Sequence, residues 1–216
     1  MKILISGGHL TPALALMDYV GKHAAQTQIV LVGRAFNRDI DLQPSQEKRE
    51  ASKRHVKFIE LKAAKLGSLH PVKIIPQIFV LIASLIKSLS IIADQRPDIF
   101  VSFGGYLALP LAVAAWILRV PIVTHEQTRA VGISNQLIAH LANRIAISFP
   151  SSTQYFPKHK TVLTGNLVRS DLLNPHPSKP PWLKTDSNLP LLYITGGSQG
   201  SEVINMTIKN ILPQLT

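Results

Sequence analysis

The chain has 216 residues, with 23 Lys and Arg against 12 Asp and Glu, for a net charge of +11. At 46% hydrophobic and 16% charged residues it is a globular composition, which excludes an intrinsically disordered chain. No cysteine is present, which excludes disulfides and thiolate metal centres and suits a reducing cytoplasm. The basic excess calls for an anionic partner. With 6% aromatic residues and no zinc-finger or aromatic RNA-binding signature, phosphates or an acidic lipid surface suit it better than nucleic acid.

Short β-rich runs alternate with helical patterns along most of the chain. KILIS (2–6), QIVLV (28–32), HVKFIE (55–60), DIFVSF (98–103), PIVTH (121–125), RIAIS (144–148) and KTVLT (160–164) read as strands. PALALMDYVGKHA and ISNQLIAHLA between them have helical period, and LALPLAVAAWILRV (107–120), apolar almost all round, suits a buried helix. Lys2 is followed by only three apolar residues before a glycine turn, so a signal peptide is not expected. This order predicts an α/β fold, a Rossmann-like parallel sheet with helices on both faces, over residues 1–173. NPHPSKPPWLKTDSNLP (174–190) holds five prolines and reads as a linker. LLYIT-GGSQG-helix (191–216) then repeats the opening plan, and reads as the first β-α unit of a second Rossmann-like domain.

A parallel strand that feeds a helix through glycines leaves backbone N–H groups at the helix's positive end, which suits an anion. Such turns are expected at Gly7-Gly8, at Gly104-Gly105 and at Gly196-Gly197-Ser198-Gln199-Gly200, with Thr11 as a cap and Pro12 in the first helical turn. Neither a dinucleotide fingerprint nor a phosphate loop with its lysine is matched, which argues against an NAD enzyme or a P-loop NTPase. His9 and His125 both fall at strand ends; each suits either a proton acceptor near neutral pH or a structural histidine. Glu126 suits a satisfied structural carboxylate equally well. Asp39-Ile40-Asp41 reads as solvated loop charge rather than a metal site.

SGGHLTPALAL, PDIFVSFGGYLALPLAVAAWILRVPIVTHEQ, TGNLVRSDLL and ITGGSQGSEVIN, in this order, resemble the MurG family of bacterial peptidoglycan glycosyltransferases. The resemblance covers the family's first domain and the opening of its second. It implies the N-terminal half of a GT-B fold and an inverting transfer of N-acetylglucosamine from its UDP donor to lipid I. It makes His9 the candidate base, and places Ser6, Gly7, Gly8, Thr128, Arg169 and Ser198 on the donor side. Gly104, Gly105, Tyr106, His125, Glu126 and Gln127 fall on the side of the acceptor and its pyrophosphate. The implied partners are UDP-N-acetylglucosamine, an undecaprenyl-pyrophosphate-linked muramyl acceptor and an anionic membrane surface, with no cofactor and no metal. Departures fall on ligand-facing motifs: Leu4-Ile5 stand where the family has two glycines, Thr128 where it has asparagine, and Leu167 where it has proline. The alternatives are a non-catalytic membrane-recruiting subunit paired with a separate C-terminal donor-domain chain, or a related UDP-sugar transferase with another lipid acceptor.

Residues 74–92, IIPQIFVLIASLIKSLSII, approach a bilayer's span, but Pro76, Gln77 and Lys87 interrupt them, and spanning is not expected. With Lys62, Lys65 and Lys73 preceding it, this helix suits either an anionic membrane surface or a core-facing position. The resemblance favours a peripheral protein at the cytoplasmic face of the bacterial plasma membrane.

Overall fold

The computed structural model describes residues 1–36, 43–63, 74–173, 192–196 and 201–215. The Asp39-Ile40-Asp41 stretch, Lys65, Lys73, Ser198 and the expected linker lie outside the described residues. The chain falls into two compact units, Met1–Pro175 and His176–Thr216.

In the first unit the strands β1 (Lys2–Ser6), β2 (Gln28–Gly33), β3 (Lys57–Glu60), β4 (Ile99–Ser102), β5 (Ile122–Glu126), β6 (Arg144–Ile147) and β7 (Thr161–Leu163) form one sheet. All neighbours pair parallel, in the order β3-β2-β1-β4-β5-β6-β7. The helices that connect them are α1 (Leu10–His23), α2 (Gln46–Lys53), α3 (Ile74–Gln95), α4 (Ala108–Ile117) and α5 (Ile133–Leu141), with α6 (Ser170–Leu173) after β7.

Period-two alternation divides the core. Ile3 and Ile5 of β1 join Leu31 and Val101 on one face, against Leu14 and Met17 of α1 and Ala51 of α2. Leu4, Val30, Val32 and Phe100 point to the other face, against Ile91 and Ile92 of α3 and Leu111 of α4. Both faces of the strands are thus covered, which is why KILIS and QIVLV read as near-continuous apolar runs. Leu4 and Ile5 are fully buried inside β1, and the turn between β1 and α1 is confined to Gly7–His9.

α3 divides into two stretches. Towards its end, Ser84, Ser88, Ile91 and Ile92 are buried against the body of the unit. Residues 78–83 are all exposed, including Ile78, Phe79, Val80, Leu81 and Ile82, and more than a full turn of apolar side chains is therefore open to solvent. Among the described residues, α3 holds the one helix segment long and apolar enough to cross a membrane by length and composition, Ile78–Gln95.

The second unit contains α7 (Glu202–Leu215). The strand expected at 191–195 is not formed over the described residues 192–196, where Leu192, Tyr193 and Ile194 are exposed. An apolar run alone does not make a strand, because the backbone groups need a neighbouring strand to pair with.

Candidate functional site

The strand order reverses between β1 and β4: the chain runs outward from β1 to β3, then returns to β4 and runs the other way. Loops leaving the carboxyl ends of these two strands therefore diverge, and the crevice between them is where ligands of open parallel sheets bind. Here the two loops are the turns Gly7-Gly8-His9 and Gly104-Gly105-Tyr106, which the structure brings into contact. Gly8 has φ +142°, and a Cβ on it would lie 2.6 Å from the Gly104 carbonyl oxygen. Gly104 and Gly105, at φ +78° and +81°, occupy the left-handed region that glycine adopts without strain.

Helix electrostatics distinguish the available termini. α1 is capped by His9 and α4 by Leu107, neither with a side-chain hydrogen bond, and neither helix has an acidic residue in its first turn. The expected cap, Thr11, lies inside α1, because the helix starts at Leu10; Pro12 still falls in the first turn, where its missing N–H costs nothing. The Gly7 N–H is engaged by Val32 O, whereas those of Gly8 and His9 make no hydrogen bond among the described residues. Two positive helix ends and free amides thus converge on one crevice, with the exposed His9 on its rim.

The terminus of α5 differs, because Glu126 already occupies it. The carboxylate is 4% exposed and accepts from Thr128 N (2.9 Å) and Thr128 Oγ1 (2.6 Å) through Oε1. Through Oε2 it accepts from Asn135 Nδ2 (2.9 Å) and Gly132 N (3.3 Å). Burial opposes its ionisation, but the hydrogen bonds from Thr128, Asn135 and Gly132 outweigh that and hold its pKa below the ordinary 4.5. Glu126 is therefore an ionised strut of the β5–α5 loop, the structural carboxylate of the two readings, and its oxygens are not turned to an anionic ligand. Thr128, where the family has asparagine, is its first hydrogen-bond partner.

His125 is likewise engaged inside the fold. It is 4% exposed, packs edge-on against Phe103 at 5.8 Å, and its Nε2 lies 3.2 Å from the Gly165 carbonyl. A carbonyl only accepts, so Nε2 carries the proton, with Ser148 Oγ also 3.3 Å from it, while the buried Nδ1 has no partner among the described residues. Burial pushes its pKa below the ordinary 6.5, against the opposing effects of the Gly165 carbonyl and Glu126. His125 is a neutral tether from β5 to the turn after β7. The structure thus places His125 and Glu126, which the resemblance set on the acceptor side, with their hydrogen bonds directed into the fold.

Ser6 lies at the end of β1, fully buried, with an Oγ that has no hydrogen-bond partner among the described residues. Tyr106 packs partly buried against the core below the second glycine turn, and Gln127 is half-buried beside Glu126. Arg169 is placed elsewhere. It lines an open cleft of about 1140 Å³ together with Lys2, Gln28 and Lys57, which start β1, β2 and β3, while its buried Nε has no hydrogen-bond partner among the described residues. That cleft lies at the amino edge of the strands, and in its wall Arg54 pairs with Asp18 (2.7 Å) and with Glu50. The carboxyl-edge crevice carries the stronger case for anion binding, since free amides and two helix termini face it.

Sequence reasoning missed Asn135, which is buried, bonds Glu126 and lies directly against Gly104. A readable signal was present: a polar residue sharing the buried face of α5 with Ile138 and Ala139, at the three- and four-residue spacing of one helix side.

Three comparisons bear on this geometry. Residues 6–147 match the glycosyltransferase family 28 N-terminal domain. The chain is 31% identical over 219 residues to an Acetivibrio thermocellus protein named UDP-N-acetylglucosamine–N-acetylmuramyl-(pentapeptide) pyrophosphoryl-undecaprenol N-acetylglucosamine transferase, covering 98% of this chain and 57% of that relative. It is equally 31% identical to the Pediococcus pentosaceus protein of the same name, covering 100% of this chain and 58% of that one. The chain thus spans little more than half the length of these relatives. Among solved structures, Acinetobacter baumannii MurG superimposes with a TM-score of 0.58 at 19% identity, over 79% of this chain and 45% of that one. A Neisseria meningitidis UDP-GlcNAc 2-epimerase bound to UDP-GlcNAc gives 0.51 at 16%, over 77% and 47%. Both show likeness of fold alone, and with most of the first unit inside the matched region, the chain belongs to glycosyltransferase family 28 as a carrier of its N-terminal domain.

Proposed function

We propose that this chain forms the acceptor-side half of an inverting glycosyltransferase of peptidoglycan precursor synthesis, which moves N-acetylglucosamine from UDP-N-acetylglucosamine to lipid I. The observation that carries this reading is the crevice between β1 and β4, where two glycine turns and two helix termini without side-chain caps converge beside an exposed histidine. The names of the relatives supply the substrate class. In such a transfer the acceptor hydroxyl attacks the anomeric carbon opposite the leaving UDP; its proton passes to a base, and the departing diphosphate takes up the bond's electron pair. His9 is the base, and the amides of Gly8, His9 and Gly105 bind the acceptor's pyrophosphate.

Ser6, Gly7, Gly8, Thr128, Arg169 and Ser198 belong to the donor side by resemblance, with the Gly8 amide shared between the two substrates. The donor's own pocket belongs to further β-α units, supplied by the same polypeptide or by a separate donor-domain chain. Support for such units comes from the apolar residues that the second unit leaves exposed by itself, Leu192, Tyr193, Ile194, Val203 and Met206. In the complete two-domain assembly, transfer from UDP-N-acetylglucosamine to lipid I is the deciding assay. His9→Ala should lower turnover at least ~100-fold, the low end for loss of a general base. Turnover near wild type in that variant would remove His9 from the mechanism and favour a recruiting subunit instead.

The same reading makes the protein peripheral at the inner face of the membrane. Ile78, Phe79 and Ile82 of α3 would enter the interface, with Lys62 and the net charge of +11 attracted to anionic headgroups. Liposome flotation tests this. Binding should need anionic lipid and fail in Phe79→Glu/Ile82→Glu, while equal flotation on neutral and anionic vesicles would refute the electrostatic part.

A further inference from the structure

The two glycine turns meet each other on one side and Asn135 on the other. A Cβ placed on Gly104 would lie 2.9 to 3.1 Å from the amide nitrogen, oxygen and carbon of Asn135. The Gly104 carbonyl in turn lies where a Cβ on Gly8 would be, at 2.6 Å, and Gly8 precedes His9. Asn135 itself cannot drift. Its Oδ1 accepts from Thr124 Oγ1 (2.9 Å), and its Nδ2 donates to Glu126 Oε2 (2.9 Å) and to the His125 carbonyl (3.2 Å). It is 3% exposed, and these bonds fix the plane of its amide between β5 and the β4 turn.

We propose that Asn135 is a positioning residue for the crevice: the anchored amide sets the Gly104 turn, and through Gly104 it seats Gly8 and His9. The contact is steric, so what matters to the glycine turns is the volume of the side chain, whereas its hydrogen bonds matter to the β5–α5 loop. This inference deepens the proposed reading of the crevice and rests on it only for the binding measurement described below.

The test follows backbone amide and imidazole signals by NMR in the full chain. In Asn135→Ala the Gly104 amide, which donates to Ser102 Oγ at 3.1 Å, should exchange at least ~10-fold faster, and the Gly8 and His9 signals should move with it. Signals that change only in the β5–α5 loop, with Gly8, His9 and Gly104 at their wild-type values, would overturn the proposal. Asn135→Asp serves as the conservative variant and decides the matter if the alanine variant does not fold. It keeps the volume against Gly104 and the acceptor for Thr124. At a pH low enough for the introduced carboxyl group and Glu126 to share a proton, it should leave the glycine-turn signals in place. Displacement of Gly104 equal to that of the loop amides in this variant refutes the steric route. Titration with inorganic pyrophosphate supplies the second reading, with affinity expected to fall ~10-fold in Asn135→Ala and recover in Asn135→Asp. If wild-type Gly8 and His9 signals do not respond to pyrophosphate at all, the crevice is not an anion site, and the exchange measurements alone judge Asn135.

Discussion

Replacing Glu126 by glutamine isolates the strut of the β5–α5 loop with almost no change in shape. Four donors converge on the carboxylate, two on each oxygen. Whichever way the substituted amide turns, its NH2 faces two of those donors, so two charge-assisted hydrogen bonds are lost and a donor–donor contact replaces them. A hydrogen bond to a charged group contributes about 1.5 to 3 kcal/mol. The 3.3 Å contact to Gly132 stands at the weak end, and relaxation of the Thr128 hydroxyl recovers part of the loss. The expected cost is therefore about 3 kcal/mol, or roughly 6 to 12 °C in Tm for a unit of this size. Urea unfolding followed by far-UV circular dichroism at pH 7 measures it. The sign with pH provides a second check. Because the folded pKa of Glu126 is depressed, its contribution is fully present above 4.5 and is lost as pH falls through the folded value. The gap between wild type and Glu126→Gln should thus narrow in acid, where protonated Glu126 resembles glutamine. A difference below about 1 kcal/mol at neutral pH, or a gap that widens in acid, would refute the assignment.

Gly8→Ala should destabilise the chain by roughly 2 to 4 kcal/mol in the same assay, since the backbone conformation disfavours a Cβ and the Gly104 carbonyl occupies its place. An effect below about 1 kcal/mol would mean that the two turns are not in contact. Ser6→Ala should be neutral or stabilising by about 1 kcal/mol, because it removes a buried hydroxyl without a partner; clear destabilisation would show that Ser6 does find one. His125 must remain neutral in its buried site, so the unfolded chain takes up its proton first, and stability should decline as pH falls below about 6.5. His125→Gln, which can still donate to Gly165 but does not titrate, should flatten that limb of the pH–stability curve. An unchanged slope would exclude His125 as its source.

Much of the first unit is readable in the residues themselves. Apolar runs such as KILIS and QIVLV are strands because both faces of a parallel sheet are covered, and buried helices must follow them. Gly7-Gly8 and Gly104-Gly105 announce turns, since each stands between such a run and a helical pattern. LLYIT carries the same local signal and yet is not a strand over its described residues, because pairing is a property of neighbours rather than of the run.

What the chain order does not contain is which turns meet. Gly8 and Gly104 are almost a hundred positions apart, and only the reversal of strand order between β1 and β4 sets them side by side. The same long-range placement set the partners of the polar residues named by the motifs. His125 and Glu126 stand next to His9's crevice in the sequence logic, but burial and the donors of Gly132 and Asn135 turned one into a tether and the other into a strut. Arg169, set on the donor side by the resemblance, lines the cleft at the amino edge of the sheet. Sequence by itself determined the periodicities, the glycine turns and the family, because these depend on local residue types. The tertiary structure decided which polar groups remain free to meet a ligand, because that depends on partners brought in from distant parts of the chain.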